Sequence, residues 1–398
     1  MRSKLVVVLG FLISVSAIVY AVSRRDGGRP AAATGADPGH GSGARPAVVE
    51  VTLMHSTEQK EWLEAAVAAF QRVEPTIRVT LIGKGSLESA SAIRDGAARP
   101  VLWSPADSMI SNLLAADWKT KNQAELFPAQ GDRAPQPLVL SPLVFTVWEE
   151  RAKVLLGDAS PSPPLTWRAI RKAITSATGW AGIGGKPAWG FVTLGHTDPT
   201  KANSGLQALA LMAYEYFHVT SGLTVEQMLD PKFQDFVKDI ERGVPSFESS
   251  SGTFMTDMVR FGPSRCDIAV VYENLAVAQL DNAQGRWGNL HIYYPPVTIW
   301  SDHPIVVLDA PWVSPDQARA GTRLIEFLRS APIQATALRF GFRPANTSVP
   351  MTSSDPTGPF ARAMKYGLSL ELASAVQPPD ASVIRTLMMM WSRVARPQ

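Results

Sequence analysis

The segment VVEVTLM (48–54) gathers β-branched and apolar residues in a short run, as a strand does, and His55-Ser56-Thr57 closes it. The period then changes. Trp62, Leu63, Ala66, Val67, Phe70 and Val73 recur at helical spacing, Ser56 and Gln59 stand at the spacing of a capping box, and Pro75 ends the helix. IRVTLI (77–82) predicts a second strand, with Gly83-Lys84-Gly85-Ser86 opening a helix over 87–98. PVLW (100–103) predicts a third, with Ser104-Pro105-Ala106-Asp107 opening a helix to Ala116. Three strand-loop-helix units in succession predict a parallel sheet with helices on its faces.

PLVLSPLVFTVW (137–148) is a long apolar run suited to a strand that crosses between two lobes. After a Pro-rich turn (160–164), TWRAIRKAI predicts a helix and WGFVTL (189–194) a strand. The polar stretch from His196 to Gly205 then leads into a helix with Leu206, Leu209, Met212, Ala213 and Phe217 on one face. Thr224 and Gln227 start a helical region to Gly243, broken at Pro231. DIAVVY (267–272), LHIYYP (290–295) and PIVVLDAPW (304–312) predict three more strands, the last returning to the first lobe. Helices are expected over 315–329, 331–340 and 380–395.

Ahead of all this, Arg2 and Lys4 precede eighteen largely apolar residues, Leu5 to Val22, about 27 Å long as a helix against a bilayer core of roughly 30 Å. This reads as an export segment, residues 1–23, either cleaved near Ala21 and Ser23 or retained as an anchor. Residues 24–46 hold six Gly and three Pro and no aliphatic or aromatic side chain beyond alanine, the composition of a flexible linker. The protein is therefore expected outside the cytoplasmic membrane, periplasmic or at the cell surface, with the membrane contacted through its N-terminal segment alone.

Charge narrows the partners. Of 38 Lys and Arg, four (Arg2, Lys4, Arg24, Arg25) lie in the first 25 residues, leaving 34 against 35 Asp and Glu in the rest. A body so nearly neutral, with no basic run, argues against nucleic acid. Cys266 is the sole cysteine, which excludes an intrachain disulfide and a cysteine-rich zinc site. No metalloprotease, Walker or nucleophile-elbow motif occurs, and the six histidines do not pair at metal-ligand spacing. No catalytic residue, metal or cofactor is expected, although a triad assembled from distant residues, with His196 as a member, stays open as an alternative.

What recurs is a hydroxyl or amide residue where a strand end meets a helix start: Ser56 and Thr57, Ser86, Ser104, then Asn203 and Ser204. Each is explained singly by N-capping. Jointly they fit a polar pocket, because ligands in open α/β sheets bind at the carboxyl ends of the strands, where helix N-termini also point.

The order of these segments resembles the type II periplasmic solute-binding proteins, the extracytoplasmic receptors of ABC importers, over roughly 47–345. HSTEQKEWLEAAVAAFQ, GKGS and WSPADS are similar to the three ligand loops of the first lobe. CDIAVVYENLAVAQ is similar to the second-lobe strand bearing a ligand-facing tyrosine, and DAPWVSPDQARAGTRLIEFLRSAPIQATALRFGFRPAN to the return. GHTDPTKANSGLQAL resembles the second-lobe loop of the molybdate-binding-like branch. The resemblance implies an α/β fold of two lobes, each a mostly parallel sheet flanked by helices, with lobe one at 47–142 plus 303–398 and lobe two at 143–302. It also implies capture of a small molecule or ion in the cleft by hinge closure, and delivery to an ABC permease or other membrane protein.

The ligand contacts that follow are Ser56, Thr57, Gly85, Ser86, Ser104, Asp107, Thr197, Asp198, Asn203, Ser204, Tyr272 and Glu273. Three of these are acids near loop tips. A carboxylate beside a bound oxyanion costs several kcal/mol at an effective dielectric near 20, so an inward acid turns the expectation toward a cation, polyol or amine. Trp103, Trp148, Trp189 and Trp300 are candidates for stacking a sugar. A tethered receptor that keeps the fold without transport is the remaining alternative.

Overall fold

The structure, a computed structural model, describes residues 47–157, 163–351, 356–371 and 374–395. The expected export segment and linker, and part of the Pro-rich turn, lie outside the described residues. Strands β1 (Val49–His55), β2 (Ile77–Gly83) and β3 (Leu102–Ser104) pair in parallel. The register sets His55 opposite both Gly83 and Ser104, so all three strands end level. The chain leaves each end into a helical turn at Thr57–Gln59, Ser86–Arg94 and Ser108–Asn122, which brings three helix starts to one edge.

Strand β4 (Val139–Trp148) joins the lobes. The second-lobe strands are β5 (Leu194–Gly195), β6 (Ile268–Tyr272), β7 (Leu290–Tyr293) and β8 (Trp300–Ser301). The chain then gives β9 (Val306–Val307) and β10 (Arg343–Pro344). Sheet one has the order β2-β1-β3-β9, and its β9 is antiparallel. The first residues of β4 pair with β10 and β8, and the last six with β6 and β7. One ten-residue strand thus runs from the hinge into the heart of lobe two. Sheet two is mixed: β5 and β6 are parallel, whereas β4 is antiparallel to each of its partners because it enters the lobe against their direction.

Two expectations change. The strand expected over 189–194 shrinks to Leu194–Gly195, since Gly190 turns into the left-handed region (φ 70) and Phe191 points into solvent. The chain after Asn346 does not stay with sheet one: Thr298 bridges Ala375, and the helix Ala381–Val394 packs on the second-lobe helices Asn203–Phe217, Val225–Met228 and Pro231–Glu241 as well as on Ser108–Asn122. Its buried face of Val383, Ile384, Leu387, Met390 and Trp391 draws it across both lobes. The apolar core accordingly continues from Ile110 and Leu114 to Leu209, Phe236 and Trp391. Cys266 is buried and free, its thiol pushed up by burial. Among the described residues no helix is long and apolar enough to cross a membrane.

Candidate functional site

The level strand ends of lobe one are tied together by Gln59. Its amide donates to Ser56 Oγ at 2.7 Å and to the Ser104 carbonyl at 3.1 Å, and accepts from Ser104 Oγ at 3.1 Å. The expected capping box is not formed, because this amide serves the loop rather than the Ser56 backbone. Ser86 Oγ accepts from Ala106 N at 2.9 Å, fixing the loop that carries Asp107. Asp107 caps its own helix through Ile110 N at 3.2 Å, and its other oxygen faces lobe two. Thr57 and Gly85 lie outside this cluster, on a groove of about 870 Å³ between the lobes that Lys84, Leu87, Lys201, Ser250, Arg385 and Met388 also line.

Across the contact, the helix Asn203–Phe217 presents Asn203 and Gln207, one turn apart and so on one face. Asn203 Nδ2 donates to Asp107 Oδ2 at 2.9 Å and to the Tyr272 hydroxyl at 3.0 Å, and Gln207 Nε2 donates to the same Asp107 oxygen. Both amide oxygens, Asn203 Oδ1 and Gln207 Oε1, are buried and find no hydrogen-bond partner among the described residues. A buried acceptor left so costs about 1–3 kcal/mol, which marks this spot against the rest of the interior.

The loop ahead of that helix is held by its own hydroxyls. Thr197 Oγ1 sits 2.8 Å from Ser204 Oγ and accepts from Gly205 N at 2.9 Å; Ser204 Oγ in turn lies 2.6 Å from Ser251 Oγ. Gly205 has to be glycine, because a Cβ there would stand 2.1 Å from the Thr197 carbonyl oxygen. Asp198 turns back on its own loop, accepting from Thr200 N at 2.8 Å and Thr200 Oγ1 at 2.6 Å, with Lys201 at 3.8 Å.

Burial dominates the electrostatics. It raises Asp107 to about 6, against the Asn203 and Gln207 hydrogen bonds and with help from the nearby Asp302 charge. It raises Asp302 as well, although Ser108 donates to both Asp302 oxygens, and it raises the Tyr272 hydroxyl, assisted by Glu58 and Asp107. For Glu58 burial also pushes upward, but the His303 hydrogen bond and charge outweigh it and the carboxyl is lowered. Asp107, Asp302 and Glu58 are thus three carboxylates around this contact, each with its own partners, and among the described residues no Lys or Arg pairs with Asp107 or Asp302.

Several expected residues are engaged elsewhere. Glu273 is a correction: its carboxylate is fully buried against Arg343, at 2.6 and 2.7 Å, with the Tyr294 hydroxyl as a third donor, so its oxygens are taken up by an internal ion pair. His196 pairs with Glu241 at 3.0 Å behind the cleft wall. Trp103 donates to Ser89 and Trp148 to the Cys266 carbonyl within the core, and the Trp189 and Trp300 faces carry Arg151 and Arg343.

Gln59, Gln207, Glu58 and His303 belong to the cluster and were not expected there. Gln207 was legible in principle, standing one helical turn after Asn203. His303 holds a left-handed backbone (φ 40) on the return crossing; Nδ1 lies 3.1 Å from the Val139 carbonyl and 3.0 Å from that of Ser301, and Nε2 lies 3.3 Å from Glu58. A strained non-glycine residue at a lobe crossing is a feature typical of sites that move.

The family model described as bacterial extracellular solute-binding protein matches residues 51–343. In fold the chain is similar to a periplasmic thiamin binding protein, with TM-score 0.59 at 14% identity, covering 91% of this chain and 100% of that one. It is similar also to the sulfate-binding protein SubI of Mycobacterium tuberculosis H37Rv, with TM-score 0.55 at 15% identity, covering 84% and 96%. The ferric binding protein from Campylobacter jejuni gives TM-score 0.56 at 11% identity, covering 87% and 98%. Likeness at such identities concerns the fold alone. No curated protein sequence matches the chain.

Proposed function

Since the chain belongs to the bacterial extracellular solute-binding proteins, we propose that it captures its solute at the contact of Asp107 with Asn203 and Gln207, closing the lobes over it and presenting the closed form to a membrane permease. The observation that carries this reading is the buried, incompletely satisfied polar cluster between two lobes joined by strand crossings. Polar groups of that kind disfavour a permanent interface and favour one that opens and takes in a partner.

In this reading the hinge is at the crossing segments near Pro142 and His303, with lobe one formed by 47–142 and the chain from 303 to about 346; the pairing of β4 with both β10 and β8 supports it. The last helix, Ala381–Val394, contacts both lobes, packing on Ser108–Asn122 of the first and on the second-lobe helices. Residues 5–22, retained, would tether the protein at the membrane; cleaved, they would release it. A tethered receptor without transport is favoured by that apolar run alone. The role proposed is binding without turnover.

The finer likeness to the molybdate-binding branch rests on the loop 195–209, and it predicts an oxyanion. Asp107 opposes that ligand, because a carboxylate about 4 Å from a bound anion costs several kcal/mol at an effective dielectric near 20.

The test is a thermal-shift screen of the protein against oxyanions, metal ions, sugars, amino acids and amines, after partial unfolding and refolding to strip carried-over solute. A solute at a thousand times its dissociation constant adds about 4 kcal/mol, a rise of several degrees. The rise is expected to vanish in Asn203→Ala/Gln207→Ala. A hit of equal size in that double variant would place the solute elsewhere.

A further inference from the structure

We propose that the solute taken at this cleft is an organic cation carrying N–H donors, a primary ammonium or a group of that chemistry, bound at Asp107 and the side-chain oxygens of Asn203 and Gln207. The inference rests on the reading of the cleft as the solute site and names the class of solute.

What the cluster lacks is donors to spare. Asn203 and Gln207 both turn their NH2 groups onto Asp107 Oδ2, and Asn203 onto the Tyr272 oxygen as well, while their carbonyl oxygens stay buried and find no donor among the described residues. Asn203 is 4% exposed, Gln207 0% and Asp107 2%, so water does not compensate. In the closed lobes the two amides hold the place of a better donor. An ammonium group has three N–H donors and no acceptor, which matches one carboxylate oxygen and two amide oxygens.

The charges point the same way. Of the three carboxylates, Glu58 is countered by His303 at 3.3 Å, and Asp302 is held by the Ser108 backbone and hydroxyl. Among the described residues Asp107 has only neutral donors, Ile110 N and the two amides. One positive charge is therefore the complement. The raised position of Asp107, about 6, is the signature of a carboxylate without a cationic partner. Rim cations do not supply one: Lys84 pairs with Glu88, and Lys201 faces Asp198 at 3.8 Å.

A bare metal ion fits less well. Among the described residues no group of three or more His, Cys, Asp or Glu is placed to hold one. Amide oxygens with a single free carboxylate suit hydrogen-bond donors better than a hard cation that needs six or more oxygens.

The experiment uses the full chain, stripped of solute, titrated by calorimetry and thermal shift with putrescine and spermidine, with 1,4-butanediol as the neutral match, and with sulfate and molybdate. At least one of the amines is expected to raise the midpoint and the diol is not. Asp107→Asn is expected to weaken amine binding at least tenfold. Gln207→Lys, which sets an ammonium of the chain's own beside Asp107, is expected to abolish it and keeps the test intact where Asp107→Asn does not fold. Binding of sulfate or molybdate with amines silent would overturn the cation class and leave the solute-binding reading standing. Silence from every compound would overturn the cation class, and the solute-binding reading would then stand or fall on the wider screen of sugars, amino acids and metal ions. Amine binding unchanged in Asp107→Asn and Gln207→Lys would overturn the placement at Asp107.

Discussion

Asn203 Nδ2 lies 2.9 Å from Asp107 Oδ2, a hydrogen bond that spans 96 positions of sequence and the boundary between the lobes. It leaves the carboxylate buried among neutral donors, and burial raises Asp107 from 3.8 to about 6. The folded protein therefore binds this proton more tightly than the unfolded chain. Below about pH 4 the group is protonated in both states and contributes nothing. Between about pH 4 and 6 the unfolded chain releases the proton while the folded protein keeps it, so stability falls, by about 3 kcal/mol in all, and it levels off above about 6. Asp107→Asn is expected to flatten that part of the profile, measured by urea unfolding of the solute-free protein at pH 4, 5, 6 and 7. Equal slopes in the two proteins would remove the buried charge from the account.

Glu273 and Arg343 form an internal ion pair, at 2.6 and 2.7 Å. Arg343→Met leaves the Glu273 carboxylate buried and unpaired, at an expected cost of about 3–5 kcal/mol. The double variant Arg343→Met/Glu273→Gln is expected to recover most of that. In Glu273→Gln, solute affinity measured well below the midpoint should change less than about threefold. A much larger loss would return Glu273 to the solute contacts.

His196, Glu241 and Trp391 link the cleft loop to the last helix: His196 Nε2 lies 3.0 Å from one Glu241 oxygen, and Trp391 Nε1 donates to the other at 2.9 Å. Burial works against a charged His196, but the Glu241 carboxylate outweighs it and the imidazole is raised above 6.5. The stabilisation is fully present below 6.5 and is lost as pH rises through the higher folded value. Glu241→Gln should cost about 3 kcal/mol at pH 6 and distinctly less at pH 9 by urea unfolding. A larger cost at pH 9 would reverse the sign of the linkage.

Local chemistry made the first lobe readable. The runs ending at His55, Gly83 and Ser104 each change period at a turn residue, so strands, loops and helix starts all follow from neighbours in sequence. The helix start at Asn203 was legible for the same reason. Glu273 was not, because its partner stands 70 positions away and a helix-start acid looks alike whether it faces a solute or an arginine. Gln59 was read as a cap, although its amide bridges two strand ends that only the register brings together. The Ser86 hydroxyl holds Ala106 N, so a Ser86→Ala variant would disturb the Asp107 loop whether or not Ser86 meets a solute. WGFVTL looked like a strand by composition. Gly190 broke it.

The central claim is that the lobes open and close around a solute at Asp107. Spin labels at Lys84→Cys and Lys201→Cys, on opposite walls of the groove, report the separation directly, since the one native cysteine, Cys266, is buried. With a compound that raises the thermal midpoint, the account predicts that a broad distance distribution collapses to one short distance, and that Asn203→Ala/Gln207→Ala abolishes the collapse. A distribution left unchanged by such a compound would contradict it.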